Sequence, residues 1–581
     1  MLSSFSPVGL SLLLSLVIVS QPSAQAVPLP FDPSSIVEVR VDDLDRDQVV
    51  ALTLDGFDVT SVQGRSAFLS LPENDLGALT SRGLSFVRLA PAKPADESFL
   101  AAYHSYASLA TELQSIAASY PNLCQLSSVG NSVQGRQLWI MKISDNVALQ
   151  EDEPEFRYIS TMHGDEPIGM EMCLNMIHEL LDNYGSDPEI TGLVDDLEIW
   201  ILPLMNPDGY TAGSRYNAQG VDLNRDFPDR VNDPVNTTAG RAIETARVMN
   251  WGFNHSPVLS ANFHSGALVV NYPYDSDPNP FAPYSAAPDD SLFIAQSLAY
   301  ASLNAPMSAS PWFSQGIVNG VEWYLVHGGM QDWNYYWMGC NDVTIELGDT
   351  KWPSSSQLPG LWNDNRDAML AYMGWALRGV RGVVTDALTG QPLPATVTVM
   401  GIDHDVFTDP DVGDYHRMVE PGTYTVTIAA SGYVSQVIPG VSVGAGDATV
   451  LSVALSPEGW SDLGLGLAGT AGQVPTLTGS GPLTASSVNA VDLAAALPGA
   501  AAHLVFGLTR IDAGFKGGVL VPAPDLLISG LPIDGAGQLS VPFVWPTGVP
   551  AGFPFYLQVW VEDGQGPLGF AASNGLGGEA Q

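Results

Sequence analysis

Lysine is the scarcest charged residue in this 581-residue chain, and basic residues as a whole are few. The 21 lysines and arginines face 62 aspartates and glutamates, which gives a formal net charge of −41. Such a surface repels nucleic acid and anionic membranes, because binding to phosphate depends on Lys and Arg. We therefore expect no nucleic-acid partner, and we interpret the acidic excess as a solubility feature suited to a saline environment.

Cysteine is also rare. Cys124, Cys173 and Cys340 are too few and too scattered for a disulfide framework, and their odd number leaves at least one thiol free or paired between chains. No CxxC motif occurs, so a zinc site built from thiolates is not expected.

Long apolar runs are missing after the first 26 residues. The apolar segment from Val8 to Val19, followed by small residues at Ala24 and Ala26, predicts a signal peptide over residues 1–26. This segment is too short to span a bilayer as a stable helix. We expect export without a membrane anchor, either into the medium or to the cell surface.

The remaining chain divides into four parts by pattern. Residues 27–98 alternate three strand-like runs, IVEVRV, SAFLSLP and LSFVRLAP, with two helical segments, which predicts a small α/β pro-segment or accessory domain ending in a linker. Residues 99–378 alternate longer helices with apolar strands, which predicts an α/β domain with a mixed sheet. Short strands with Gly/Pro turns over 379–456 predict a β sandwich. The pattern over 457–581 predicts a further β-rich domain of unknown role.

Candidate metal ligands follow apolar strands in the α/β domain. His163 and Glu166, three residues apart in HGDE, follow the strand RYISTM, and His264 ends the strand VLSANFH. Taken alone, an HxxE motif is a weak signal. A second histidine at a strand end strengthens it, because open α/β sheets bind ligands beyond the carboxyl ends of their strands. Glu346, in DVTIELG, lies at another such end, and Asp222 is available to hydrogen bond a metal-bound histidine.

Six ordered strings, within a block of about 270 residues from about Tyr103 to Met373, carry a family resemblance: STMHGDEPIG, PLMNPDGY, SRYNAQGVDLNRDFPD, VLSANFHSGALVVNYPYD, GIVNGVEWYLVHGGMQDWNYY and DVTIEL. The block resembles the zinc metallocarboxypeptidases, and more narrowly the branch that includes carboxypeptidases D, E, M and N. In that branch a transthyretin-like β sandwich follows the catalytic domain, which agrees with residues 379–456.

The resemblance implies the catalytic groups residue by residue. His163, Glu166 and His264 match the ligands of one Zn²⁺ ion, and Glu346 matches the general base and acid. Arg215 matches the arginine that polarises the scissile carbonyl.

The resemblance also implies how substrate is bound. Asn224 and Arg225 match the pair that holds the terminal carboxylate of a peptide, and Tyr324 matches the tyrosine that closes over the substrate. Asp275 and Gln331 match positions that line the pocket for a C-terminal Lys or Arg. A buried carboxylate there would reject apolar side chains, because its charge would be left unpaired.

Several interpretations stay open at this point. The expected function is a zinc exopeptidase that acts on peptide C-termini, working as a monomer. The alternatives are an amidohydrolase of the same fold acting on cell-wall peptides, and a non-catalytic peptide-binding relative. The unit over 27–98 is not a feature of this branch. It could be an inhibitory pro-segment, a chaperone or a stable accessory domain.

Overall fold

A computed structural model describes residues 35–93, 101–387 and 390–581. The predicted signal peptide, 1–26, and most of the predicted linker lie outside the described residues. Within these three ranges, no helix is long and apolar enough to cross a membrane. Cys124, Cys173 and Cys340 are all buried, free thiols, so the expectation of unpaired cysteine is confirmed.

The N-terminal unit is a four-stranded antiparallel sheet with two helices. Its strands follow the order β2-β3-β1-β4, which leaves β2 at one edge. The elements are β1 (Ile36–Val41), α1 (Arg46–Leu54), β2 (Asp58–Gln63), β3 (Ser66–Pro72), α2 (Leu76–Ser81) and β4 (Val87–Arg88).

The sequence interpretation of this unit missed β2. Its sequence, DVTSVQ, has two valines among four polar residues, and a β-bulge between Val59 and Ser61 interrupts the register. Thr60 and Ser61 are nevertheless 8% and 7% exposed. These polar residues are covered by a neighbouring domain rather than by their own core, and a period-two pattern cannot reveal that kind of burial. The third predicted strand, LSFVRLAP, is also shorter than expected.

The α/β domain is built on an eight-stranded mixed sheet in the order β11-β10-β12-β9-β7-β8-β6-β5. Its strands are β5 (Cys124–Asn131), β6 (Gln137–Ile143), β7 (Glu155–Ser160), β8 (Glu198–Leu202), β9 (Pro257–His264), β10 (Ala267–Tyr272), β11 (Ile317–Asn319) and β12 (Asn341–Gly348). Its helices are α3 (Tyr106–Ser119), α4 (Ile168–Asn183), α5 (Pro188–Asp196), α6 (Pro207–Ala212), α7 (Ile243–Gly252), α8 (Asp290–Ala301), α9 (Ala305–Ser308), α10 (Gly320–Trp323), α11 (Met330–Met338) and α12 (Leu358–Met373).

The centre of this sheet is parallel, and its strands are buried along almost their whole length. β12, β9, β7 and β8 pair in parallel, and every residue of β7, β8 and β9 is buried. Helices on both faces explain this burial, as expected for parallel strands. The predicted α/β fold with a mixed sheet is confirmed, and the carboxyl ends of three central strands meet at one edge.

The predicted β sandwich consists of two four-stranded sheets. Val384, Val397 and Val426 are fully buried between the sheets. The strands are β13 (Val380–Asp386), β14 (Ala395–Val399), β15 (Val406–Phe407), β16 (Asp414–Arg417), β17 (Gly422–Ala430), β18 (Gln436–Val443), β19 (Thr449–Val450) and β20 (Val453–Leu455).

The C-terminal domain is all β. Sheets of six, three and two strands contribute to it, with a core that includes Leu477, Val561 and Leu576. The strands are β21 (Trp460–Gly464), β22 (Thr476–Ser480), β23 (Val488–Ala494), β24 (Ala501–Gly507), β25 (Arg510–Phe515), β26 (Gly518–Pro522), β27 (Leu526–Pro532), β28 (Leu539–Val544), β29 (Pro554–Glu562), β30 (Phe570–Ala572) and β31 (Gly575–Glu579).

A buried ion pair joins the sandwich to the α/β domain. One guanidinium nitrogen of Arg417, at the end of β16, lies 3.0 Å from both carboxylate oxygens of Asp289. The two side chains are 1% and 2% exposed. Tyr335 donates a further hydrogen bond to Asp289 at 2.9 Å. Because both charges are desolvated, removing one partner leaves the other buried and uncompensated.

We predict that Arg417→Met lowers the free energy of unfolding by about 3–5 kcal/mol, the cost of breaking a buried pair from one side. Calorimetry and urea unfolding of the full chain measure the change. The matched control is Arg510→Met, which breaks an exposed pair with Asp512 and should leave the free energy of unfolding almost unchanged. Equal effects of the two substitutions would contradict the structural role of Arg417.

Candidate metal centre and substrate cleft

The three predicted metal ligands lie at one edge of the central sheet. β7 and β9 are parallel neighbours with Ser160 opposite Phe263, so both strands end at the same edge. His264 is the last residue of β9, and His163 follows β7 by three residues. Glu166 comes just before α4. The order of the strands therefore brings together residues that are about a hundred positions apart in sequence.

The loop that carries His163 is held by the segment NPDG. Asn206 donates from its side chain to the carbonyl of Met162 at 3.1 Å, and from its backbone to Thr161 at 3.0 Å. Gly164 lies so close to Gly209 that a Cβ atom at position 164 would come within 2.1 Å of the Gly209 carbonyl carbon. This close approach requires glycine in the HGDE motif.

The side chains of the triad converge on one point. His163 Nδ1 and His264 Nδ1 are 3.0 Å apart, and Glu166 Oε2 lies 3.1 Å and 2.9 Å from them, respectively. All three residues are 3–4% exposed. A tetrahedral zinc site with bonds of about 2.0 Å places its ligand atoms roughly 3.3 Å apart, close to these separations.

The protonation of these groups also suits zinc. His163 Nε2 lies 3.0 Å from Asp222 Oδ1, which places the ring proton on Nε2 and leaves the lone pair of Nδ1 facing the triad. Burial lowers the pKa of His264 to about 4, so its ring is neutral at neutral pH. Burial alone would raise the pKa of Glu166, but the two histidines hold it well below its usual value. Burial lowers the pKa of His163, but Glu166 and Asp222 raise it above its usual value, so a metal bound there would displace the proton of its ring. Two imidazoles and one carboxylate form a donor set that zinc accepts.

Asp222 connects the metal side of the cleft to its arginines. One oxygen accepts from His163 and from the backbone N–H of Asn224 at 2.9 Å. The other accepts from Arg215 Nε at 2.8 Å. Arg215 also lies 3.3 Å from Glu166 through NH1, so its guanidinium is held beside the triad. The interpretation of Asp222 as the hydrogen-bond partner of His163 agrees with this geometry.

Glu346 lies directly beside the triad. It is opposite His264 in the parallel pairing of β12 with β9, and its side chain is nearly buried. Oε2 is buried and finds no hydrogen-bond partner among the described residues. Burial, and then the charge of Glu166, raises the pKa of Glu346 to about 8. A cation in the triad would stabilise the ionised form of Glu346 and lower that pKa again.

The predicted carboxylate-binding residues lie next along the cleft and contact the N-terminal unit. Asn224 Oδ1 accepts from the backbone N–H of Met330 at 2.9 Å, which fixes its orientation. Arg225 donates to the carbonyl of Val59 at 2.9 Å. The hydroxyl of Tyr324 donates to the carbonyl of Thr60 at 3.0 Å.

The predicted side-chain pocket lies behind this pair. Asp275 is 3% exposed and accepts from Asn271 Nδ2 at 3.0 Å, and Gly320 and Gly329 leave no room for side chains beside it. Gln331 is buried next to this pocket, and its amide atoms have no hydrogen-bond partner within the described part of the chain. Burial raises the pKa of Asp275 to about 7.

A second aspartate supports the pocket. Asp332 accepts from the backbone N–H groups of Asp275 and Ser276 at 2.9–3.2 Å. Burial and the nearby Asp275 raise the pKa of Asp332 well above its usual value. The pocket therefore concentrates acidic groups that a bound cation would stabilise.

Sequence reasoning passed over two groups in this cleft. Lys351 lies 3.2 Å from Asp165 and also pairs with Glu38 of the N-terminal unit. Lysine is so scarce in this chain that a lysine five residues after Glu346 could have been recognised from the sequence as a candidate site residue. No comparable signal pointed to Asp58, which lies 3.6 Å from both Arg215 and Arg225.

Comparisons with known proteins agree with this geometry. The sequence profile of the zinc carboxypeptidase family matches residues 109–368, and that of the carboxypeptidase regulatory-like domain matches 379–456. Human carboxypeptidase D is 43% identical over 351 residues, which cover 57% of this chain and 25% of that protein. The chain therefore spans about a quarter of the length of that relative.

Shorter relatives are matched over most of their length. Mouse carboxypeptidase M is 37% identical over 365 residues, covering 58% of this chain and 82% of that protein. The rat carboxypeptidase N catalytic chain is 36% identical over 393 residues, covering 61% and 86%. Among solved structures, carboxypeptidase A from Helicoverpa armigera has 20% identity and a TM-score of 0.47, covering 58% of this chain and 96% of that one. Because carboxypeptidases M and N are more than 30% identical to this chain and are matched over more than two thirds of their length, the chain belongs to the zinc carboxypeptidase family.

Proposed function

We propose that this protein is a zinc-dependent exopeptidase that removes one residue from the C-terminus of a peptide, with preference for Arg and Lys. The observation that carries the proposal is the spatial order of four groups along one cleft. A three-ligand centre, a buried carboxylate, an arginine–asparagine pair and an acidic pocket follow one another in that order.

The metal would be held by His163 Nδ1, Glu166 and His264 Nδ1, with Asp222 orienting His163. Zinc bound there would supply Lewis acidity towards the scissile carbonyl and a nucleophilic water near neutral pH. The types of the donor atoms, their separations and their burial support this assignment.

Glu346 is proposed as the general base and acid. Its carboxylate lies where it can take a proton from the attacking water and pass it to the leaving amine. Arg215 is proposed to polarise the scissile carbonyl, because its bonds to Asp222 and Glu166 hold a fixed positive charge beside the triad.

Recognition of a free C-terminus is proposed to rest on Asn224 and Arg225. A guanidinium binds a carboxylate through two parallel hydrogen bonds, which an internal peptide bond cannot offer. Tyr324 lies on the same side of the cleft and is proposed to cover the bound residue. Asp275 and Gln331 are proposed to bind the basic side chain, with the buried carboxylate paired to the substrate cation.

The domain boundaries are part of the proposal. We assign 99–378 as the catalytic domain, 379–456 as a transthyretin-like sandwich, 27–98 as a pro-segment or accessory unit with its linker, and 457–581 as a β-rich domain of unknown role. The predicted signal peptide supports a site of action outside the cell, and the acidic surface favours basic peptides as substrates.

Neither alternative function has a specific observation in its favour. A non-catalytic relative would not need a buried carboxylate beside the metal, yet Glu346 is present there. The pair formed by Asn224 and Arg225, which fits a free terminal carboxylate, argues against an amidohydrolase of small acylated amino acids and less strongly against one acting on cell-wall peptides.

We predict that Glu346→Gln leaves one zinc per chain but lowers kcat for a peptide ending in Arg by at least about 10³-fold, because it removes the proton-transfer group. Elemental analysis gives the zinc content, and amino-acid release gives kcat. Glu458→Gln, an exposed residue between the last two domains, is the matched control and should change neither quantity. Retained turnover in Glu346→Gln would contradict the proposed base.

We predict that Asp275→Asn lowers kcat/KM for a peptide ending in Arg by about 100-fold, or ~3 kcal/mol, because the substrate cation loses its buried partner. A matched peptide ending in Phe should lose much less. Each reaction is followed by release of the C-terminal amino acid.

The same pocket predicts a pH dependence of selectivity. With a pKa of about 7, Asp275 in the free protein gains its charge as the pH rises through neutrality. The ratio of kcat/KM for the Arg peptide over the Phe peptide should therefore rise from pH 6 to pH 8 and be flat in Asp275→Asn. Groups that ionise in both reactions, including Glu346, change the two kcat/KM values by the same factor and therefore leave their ratio unchanged. A flat ratio in the natural protein would show that Asp275 does not select the side chain.

A further inference from the structure

A second cluster of potential metal ligands lies at the junction between the α/β domain and the sandwich. Asp152 belongs to the loop that precedes β7, and Asp414 and His416 belong to β16. One ligand atom from each of the three residues lies within 4.8 Å of the others. The proposed metal triad lies beyond the carboxyl end of β7, whereas this loop lies at its amino end. The cluster is therefore separate from the proposed catalytic centre.

The alternation of side chains along β16 places two of these residues on one face. Asp414 and His416 are two positions apart, so they point the same way and opposite to Tyr415. Tyr415 packs in the core of the sandwich and is 1% exposed. Asp414 and His416 thus point away from that core, yet they are only 4% and 6% exposed. Asp152 of the α/β domain faces them, with its Oδ1 atom 4.0 Å from His416 Nε2.

Hydrogen bonding within the cluster leaves two buried oxygens without a partner. His416 Nε2 and Asp414 Oδ2 lie 2.8 Å apart. The other oxygen of Asp414, Oδ1, and the Oδ1 atom of Asp152 are buried and have no hydrogen-bond partner among the described residues. A simple histidine–aspartate pair does not explain these two acceptors, because leaving a buried acceptor unsatisfied costs free energy.

The cluster is also short of positive charge. Burial, followed by the charges of Asp409 and Asp152, raises the pKa of Asp414, although contact with His416 lowers it. Across the described ranges, no lysine or arginine forms an ion pair with Asp152 or Asp414. At most one imidazolium therefore balances two neighbouring carboxylates, and a bound cation would stabilise both of them.

The types of donor atom favour a zinc-like transition metal over calcium or magnesium. Imidazole nitrogen suits Zn²⁺, whereas Ca²⁺ and Mg²⁺ take oxygen ligands. Ligand atoms of a tetrahedral zinc site lie roughly 3.3 Å apart, between the 2.8 Å and 4.0 Å separations in the cluster. The side chain of Asp152 is 39% exposed, so it can rotate towards the other two ligands. Its open side also gives the ion a path of entry.

We propose that Asp152, Asp414 and His416 bind a second Zn²⁺ ion, which links the loop before β7 to β16 and so fastens the sandwich to the α/β domain. The atoms of the proposed catalytic triad already lie at zinc-ligand separations, whereas Asp152 has to move when the ion binds. The second site therefore binds zinc more weakly than the triad. It fills when Zn²⁺ is added and empties on dialysis.

Zinc titration of the full chain tests the proposal. Calorimetry follows the Zn²⁺ that binds beyond the amount retained after dialysis, and it should show one further ion per chain. The titration is made in excess Ca²⁺, because a neighbouring group in the same loop, Asp145, Glu151 and Glu153, offers oxygen ligands that Ca²⁺ occupies. Hydrogen exchange of residues 145–153 and 414–417 should slow on zinc binding, because the ion holds the two segments together.

Two substitutions remove ligands without altering the proposed catalytic machinery. His416→Gln removes the nitrogen ligand, and Asp152→Asn removes a charged ligand from the partly exposed loop. Each should lower the affinity for the further zinc ion at least about tenfold, because even changes outside the ligand shell of a metal site have effects of that size. At the same zinc concentration, exchange of residues 414–417 should then slow less than in the natural protein.

His503→Gln is the matched control for the loss of a histidine. His503 lies 3.2 Å from Glu562 in the C-terminal domain, and no third candidate ligand joins this pair within the described part of the chain. The control should bind the further zinc ion as the natural protein does. Loss of zinc binding in His503→Gln would show that a histidine outside the cluster holds the ion.

Three other results would overturn the proposal. The natural protein could bind no zinc beyond the amount retained after dialysis, or His416→Gln and Asp152→Asn could bind it as tightly as the natural protein does. Zinc could also slow exchange only outside residues 145–153 and 414–417, which would place the ion elsewhere. If one variant fails to fold, the other remains a complete test, because the two ligands lie on different domains.

Discussion

The buried carboxylate of Asp222 is the interaction on which the candidate site depends. Its two oxygens accept from His163 on the metal side and from Arg215 on the substrate side, and its backbone neighbour Asn224 is tied to it as well. Without it, a neutral imidazole and a guanidinium would lie close together with no shared acceptor. The negative charge of Asp222 compensates the guanidinium of Arg215, which lies on the proposed substrate side of the cleft. Arg215 can therefore lie beside a centre that is itself expected to hold a cation.

The arginines on this side of the cleft also contact the N-terminal unit. Arg215 and Arg225 place two guanidiniums within 3.6 Å of one carboxylate, that of Asp58, in a chain whose net charge is −41. Any carboxylate that can reach this region is stabilised there, whether it comes from a peptide or from Asp58 of the same chain. Apolar packing around Trp323 and Phe313 adds affinity without charge specificity. The proposed recognition of a substrate carboxylate and the observed contact with Asp58 thus involve the same two arginines.

Much of this molecule could be predicted from its sequence. The apolar strands before His163 and Glu346 and the strand that ends in His264 were recognisable because parallel strands buried on both faces leave nearly continuous apolar runs. Their shared edge followed from the rule that ligands bind beyond the carboxyl ends of such strands. The β sandwich was recognisable from period-two runs with Gly/Pro turns.

Other features depend on contacts that no local pattern records. DVTSVQ was not recognised as a strand, because it also contacts another domain, for example through the hydrogen bond that Tyr324 donates to the carbonyl of Thr60. Lys351 became notable only through Asp165 and Glu38. The sequence by itself predicted the proposed ligands, base and arginines and their order, because its motifs resemble those of the zinc metallocarboxypeptidases. The tertiary structure alone decided that Asp58 and the backbone of β2 lie across those arginines, because docking between two domains is set by complementary surfaces rather than by periodicity along either chain segment.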